Sequence, residues 1–220
     1  MAQMASPRTY GDLCGVARAL DQVGERWALL VVRELLLGPK RFTDLREGLP
    51  HISPDILSQR LRELERDGIV GRRKLAPPAG SRVYELTERG RELEPVVLAL
   101  GRWGSGAPFP AGEARIGVDS TMIALRTLFD AGAAKGLDAS YELRFGDQRF
   151  RVRVADGRLE LARGEADAPD AVIATDPGTL SMLLWHDRPL ADALRTGDAV
   201  VEGDRGAAAR FLELFPLPAS

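Results

Sequence analysis

Ser58, Gln59 and Arg62 lie three, four and seven residues after Asp55, the spacing that gathers side chains on one side of an α-helix. Their shared chemistry is hydrogen bonding to base edges. Arginine and glutamine can engage guanine and adenine with two bonds each, a carboxylate accepts from cytosine, and serine adapts to either role. Ser53, just before them, completes the base-reading set at the head of the same segment. A second group is basic: Lys40 and Arg41, then Arg72, Arg73 and Lys74, then Arg82. Lysine and arginine that hold phosphates give affinity and salt dependence without sequence information.

The elements that must carry these groups can be read from the pattern around them. Ser53 is a favourable N-cap, and Pro54 fits the first helical position, where its missing N–H costs nothing. Leu57, Leu61 and Leu64 form the apolar stripe behind the polar face, and Asp67-Gly68 stops the helix. A solvated helix face has the same composition, so the neighbourhood matters. Arg41–Glu47 forms a short helix before the Ser53 helix, across a Gly-Leu-Pro-His turn, which is the order of a helix-turn-helix. Val70 to Lys74 and Arg82 to Leu86 then read as two strands joined by the Pro77-Pro78-Ala79-Gly80 loop, a basic wing. Helices are also expected at Leu13–Val23, Arg26–Leu37 and from Thr87 onward. On the last, Leu93, Val96 or Val97, Leu100 and Trp103 share a stripe that calls for a partner copy or for packing on the chain's own first helix.

Composition sets the outer bounds. The 220 residues suffice for two ordinary domains, and 45% apolar with 28% charged residues is typical of folded chains. The longest apolar run in a helical pattern, Trp27 to Val32, is far short of a membrane span, and Met1–Tyr10 lacks the apolar core of a signal peptide. Cys14 is the single cysteine, so no internal disulfide can form and the reducing cytoplasm is the expected compartment. Net charge is −2, but residues 1–106 hold 17 Lys and Arg against 14 Asp and Glu, while residues 107–220 hold 13 against 18. The excess of positive charge thus coincides with the proposed phosphate-holding groups. Neither His51 nor His186 has a nucleophile or carboxylate at a telling spacing, and no metal-ligand cluster or glycine-rich phosphate loop appears. No enzyme activity and no cofactor are expected.

The ordered series from Cys14 to Trp103 resembles the HxlR family of winged-helix regulators, relatives of the MarR group. The resemblance is carried by Gly24-Glu25-Arg26-Trp27, Gly38-Pro39-Lys40-Arg41-Phe42, Ile52-Ser53-Pro54, Leu57 to Glu65, Asp67-Gly68-Ile69-Val70, Tyr84-Glu85-Leu86-Thr87 and Gly90. It implies a homodimer on a pseudo-palindromic double-stranded DNA operator, one Ser53 helix per half-site, acting as a repressor. It also raises Cys14 as a thiol sensor, with Arg18 one turn along to favour the thiolate, against the plain reading of a small apolar residue.

Glycines and prolines at Gly101–Glu113 interrupt every apolar period, so the expected division is a winged-helix and dimerisation domain at 1–106, a linker at 107–117 and a second domain at 118–220. After a helix from about Asp119 to Ala134, strands are expected at Tyr141–Phe145, Arg149–Val154 and Arg158–Ala162. An apolar run at Ala171–Ala174 and helices from Asp176, Pro189 and Asp204 follow. The fold class is α+β, with a largely antiparallel sheet in the second half. That half resembles a sterol-carrier-protein-like domain. The resemblance implies either a small apolar ligand, with Met182, Trp185, Phe211 and Phe215 as pocket residues, or an inert scaffold in which they are core. The function expected is a sequence-specific regulator tuned by that ligand. The alternative is a small-molecule or lipid carrier whose winged helix serves protein contacts.

Overall fold

In a computed structural model, residues 9–75, 80–109 and 116–218 are described, and the chain divides into two compact units, 1–97 and 98–220. The wing tip at 76–79, with Pro77, Pro78 and Ala79, and the linker residues 110–115 lie outside the described residues.

The first unit begins with α1 (Gly15–Val23), α2 (Ala28–Leu35), α3 (Phe42–Gly48) and α4 (Pro54–Arg66). The antiparallel pair β1 (Val70–Lys74) and β2 (Arg82–Leu86) follows, with Val70 opposite Leu86 and Lys74 opposite Arg82. Its core is Val31, Val32, Leu35, Leu45, Leu57, Leu61, Leu64, Ile69 and Val83, all buried. Each helix contributes one stripe, and the hairpin closes the remaining side. The helix expected from Thr87 is two helices, α5 (Glu88–Arg91) and α6 (Glu94–Gly104). Pro95 explains the break: it has no N–H to give to the preceding turn, so the chain restarts with proline inside the first turn of α6. Thr87 caps α5 by accepting from the Gly90 amide, while its own hydroxyl donates to the Gly68 carbonyl. At Gly90 a β-carbon would lie 2.1 Å from the Ile69 carbonyl oxygen, so only glycine allows α5 to sit this close to the backbone that leads into β1.

The division falls inside α6, ahead of the expected boundary at residue 106. The reason is local packing within the second unit: Gly101 faces Thr127, and the Arg102 guanidinium donates to the Thr127 carbonyl at 2.8 Å. That unit continues with α7 (Val118–Leu128), then β3 (Ala139–Phe145), β4 (Gln148–Ala155), β5 (Arg158–Arg163) and β6 (Ala171–Thr175). It closes with α8 (Pro177–Trp185), α9 (Leu190–Thr196), β7 (Ala199–Gly203) and α10 (Arg205–Leu212). The sheet order is β5-β4-β3-β6-β7, antiparallel except for the β3–β6 pair. Alternation sends Tyr141, Leu143, Phe145, Phe150, Val152, Val154 and Ile173 into the core. The opposite face carries Glu142, Arg144, Arg149, Arg151 and Arg153, joined in part by ion pairs from Glu142 to Arg144 and Arg149. The fold class read from the sequence, a winged helix-turn-helix followed by an α+β domain with a mostly antiparallel sheet, is the one observed.

Candidate nucleic-acid interface

Helix α4 owes its position to both of its faces. The Ser53 hydroxyl accepts from the Ile56 amide at 3.3 Å, Pro54 fills the first turn, and Leu57, Leu61 and Leu64 are fully buried. Arg60 also points inward, paired with Glu63 and, at 3.8 Å, with Glu25. The outward side holds Asp55, Gln59 and Arg62, all exposed, with Ser58 half-buried among them. The Gln59 amide donates to the Glu63 carboxylate at 3.0 Å. Arg62 has no hydrogen bond or ion pair among the described residues, so its guanidinium is available to an incoming acceptor. The expected base-reading residues therefore do share a surface.

The basic group divides in two. Arg41, Lys74 and Arg82 are exposed, and the Lys74 and Arg82 side chains have no ion pair among the described residues. Arg72 and Arg73 are exposed but engaged: Arg73 is paired with Glu85 of the facing strand at 3.0 Å. Arg72 is paired with Glu65 of α4 at 3.1 Å and lies over the Tyr84 ring at 5.0 Å. A phosphate would have to draw them from these carboxylates. Lys40 is turned inward. Its side chain is 11% exposed and lies 2.5 Å from the buried Glu34 carboxylate.

Two features escaped the sequence reading. One is the Glu34 carboxylate, 1% exposed, which also takes Arg33 at 2.8 Å; a charged residue inside a helix pattern gives no sign of whether it faces in or out. The other is the apolar exterior of the α1 region, where Leu13, Val16 and Leu20 are exposed; on α6, Val96, Leu100 and Trp103 are exposed as well, Trp103 at 81%. The Leu13, Val16, Leu20 spacing was the available signal. Of the expected dimer stripe, Val97 is buried and Leu93 half-buried, while Leu100 and Trp103 are open. Cys14 is exposed at the head of α1, where its amide donates to Asp12 at 2.9 Å. Among the described residues there is no group of acidic, histidine or cysteine side chains able to hold a metal, and no helix long and apolar enough to cross a membrane.

The expected ligand residues of the second unit occupy different settings. Phe211 and Phe215 are fully buried and pack on each other at 5.0 Å, with Tyr141 against the first and Phe129 against the second. The Trp185 indole donates to the Phe215 carbonyl at 3.0 Å, and Met182 is largely exposed. The two phenylalanines are thus filled core, and an apolar ligand reaching them would have to displace these ring contacts.

Residues 22–108 match the family described as HxlR-like helix-turn-helix. Over 96 residues the chain is 41% identical to the HTH-type transcriptional regulator sll1512 of Synechocystis, covering 43% of this chain and 70% of that protein. The chain belongs to the HxlR-like helix-turn-helix family. Another relative, the HTH-type transcriptional regulator YdeP of Bacillus subtilis, is 43% identical over 93 residues, 41% of this chain and 71% of its own length. Among solved structures, the redox regulator HypR in its oxidized form is 39% identical over 44% of this chain and all of that one, with a TM-score of 0.40. Outside the HxlR-like region, residues 121–219 match the family described as alkyl sulfatase C-terminal.

Proposed function

We propose that this HxlR-like chain is a dimeric, cytoplasmic DNA-binding transcriptional regulator, a repressor that lays α4 in the major groove of each operator half-site. The observation that carries the reading is the outward face of α4. Asp55, Ser58, Gln59 and Arg62 form one polar surface on a helix capped and backed by its own core, next to a hairpin with exposed Arg72, Arg73, Lys74 and Arg82. A helix is the width the major groove admits, and a basic hairpin at its side reaches the backbone. The exposed apolar residues of α1 and α6 supply the surface for a second copy. Cys14, exposed and alone of its kind in the chain, makes operator binding responsive to oxidants or electrophiles. The second unit adjusts the regulator's response through a small apolar ligand, which acts by favouring one population of the dimer.

The deciding experiment is selection of genomic fragments by the purified full chain at moderate salt, followed by footprinting. The expected result is an inverted repeat with half-sites about one helical turn apart. Sequence-blind binding that disappears as salt rises would overturn the operator-reading function. Cys14→Ser should abolish any change in operator affinity caused by mild peroxide or quinone. For the effector, calorimetric titration with an apolar metabolite panel should find a binder that shifts operator affinity, and a panel without one counts against it.

A further inference from the structure

We propose that Glu34 and Lys40 form a buried latch that sets the position of the wing against the reading helix, so that Lys40 acts on DNA through the wing and not by holding a phosphate. This rests on the DNA-reading function above. The Lys40 main chain is already part of the wing: its amide donates to the Tyr84 carbonyl at 2.9 Å, and its carbonyl accepts from the Tyr84 amide at 2.8 Å, a rung added to the outer side of β2. Its side chain runs the other way, to the Glu34 carboxylate on α2. One residue therefore ties the hairpin to the helical core by two kinds of bond.

The surroundings fit this reading. Glu34 is almost wholly buried, and its second oxygen takes Arg33. At Gly48, where α3 ends, a β-carbon would lie 2.1 Å from the Glu34 Oε2 atom, so the helix end leaves room for the carboxylate only because no side chain is there. Burying charge is costly, and apolar residues of the same volume pack at least as stably, so an ion pair is a poor choice for stability alone. It does hold its two ends together, because a buried carboxylate and ammonium that separate each leave an uncompensated charge out of water. From Lys40 the connection continues: the Arg72 guanidinium covers the Tyr84 ring, and Arg72 is paired with Glu65 on α4. Glu34, Lys40, Tyr84, Arg72 and Glu65 thus make one physical path from the core of α2 to the flank of the reading helix.

The test uses Lys40→Met in the full chain, titrated with operator and with unrelated duplex over a range of salt. Amide exchange at Tyr84 is followed in the free protein. The expected result is an operator affinity lower by about tenfold, typical of coupling through shared partners, with the loss on unrelated duplex much smaller. The slope of log affinity against log salt should stay unchanged, and the Tyr84 amide should exchange faster. A slope shallower by about 0.9 with equal losses on both duplexes would make Lys40 a phosphate contact and overturn the latch. Unchanged operator affinity would overturn it too. Glu34→Gln keeps the side-chain shape and should reproduce the selective loss, which decides the matter if Lys40→Met does not fold. If the native chain binds no operator, the DNA-reading function fails, and Tyr84 exchange still judges the latch: an unchanged rate in Lys40→Met refutes it.

Discussion

Arg62 is the residue on which base reading is tested most directly. Exposed on α4 and without a side-chain partner among the described residues, it gives up no such contact when it takes up a base edge. Arg62→Ala should cost about 1–3 kcal/mol of operator binding and relax preference at one position per half-site. Measured against a set of operator variants, equal losses on every sequence would instead mark a phosphate contact. Ser53→Ala should lower unfolding free energy by about 0.5–2 kcal/mol, because the Ile56 amide then loses its acceptor. In the second unit, burial pushes the Glu142 carboxyl up, but the Ala166 amide and the Arg144 and Arg149 guanidinia outweigh it and hold the group below its ordinary 4.5. A depressed carboxyl stabilises the folded form fully above the unfolded value and loses that contribution as pH falls through the folded one. Acid unfolding of Glu142→Gln should therefore depend less steeply on pH below about 4.5 than that of the native chain. Residue types were legible where chemistry and period agreed, as on the outer face of α4. They were not where a charge sits inside: Glu34, Glu142 and Arg60 carry no local mark of burial, since opposite charges close in sequence, here Arg33, Arg144 and Glu63, are as common on exposed faces.

The wing is the element whose electrostatics can be resolved. Lys74 and Arg82 face each other at the open end of the hairpin, without ion pairs among the described residues, whereas Arg73 is held by Glu85. Lys74→Ala and Arg82→Ala should each reduce the salt slope of DNA binding by about 0.9, the value of one released counterion. Arg73→Ala should reduce it less, because Glu85 must first be left unpaired. Equal reductions at all three positions, measured by titration at four or more salt concentrations, would show that the Glu85 pair opens freely. Elements with caps and stripes of their own were read to within a few residues, α4 and β4 among them. The single helix expected after Thr87 failed because Pro95 was not given its breaking role. Strand β7 was not expected because Ala199–Gly203 is short and pairs with β6, which is distant in sequence along its other edge from β3. Pairing with partners that far along the chain leaves little trace in local pattern.

For the whole molecule, the exposed α1 and α6 residues predict association. Leu100 is 48% exposed and Val96 is similar, so a charge at either position should not disturb the core of a single chain. Leu100→Glu should leave the folded content intact by circular dichroism while shifting sedimentation from dimer to monomer. An unchanged sedimentation coefficient would place the dimer contact elsewhere. The break in composition at Gly101–Glu113 lies past the division after Val97, because Gly101 faces Thr127 and Arg102 donates to the Thr127 carbonyl, 25 residues on, contacts that local pattern does not reveal. The order of these units along the chain has a consequence for synthesis. Everything the helix-turn-helix core needs has been made by Val97, whereas the aromatic centre of the second unit waits for Phe211 and Phe215. A chain interrupted before Phe211 therefore carries a finished reading head joined to an unfinished, greasy sheet. Such a fragment would leave the apolar face of the second unit's sheet without its covering aromatic rings, the kind of surface that chaperones and proteases engage.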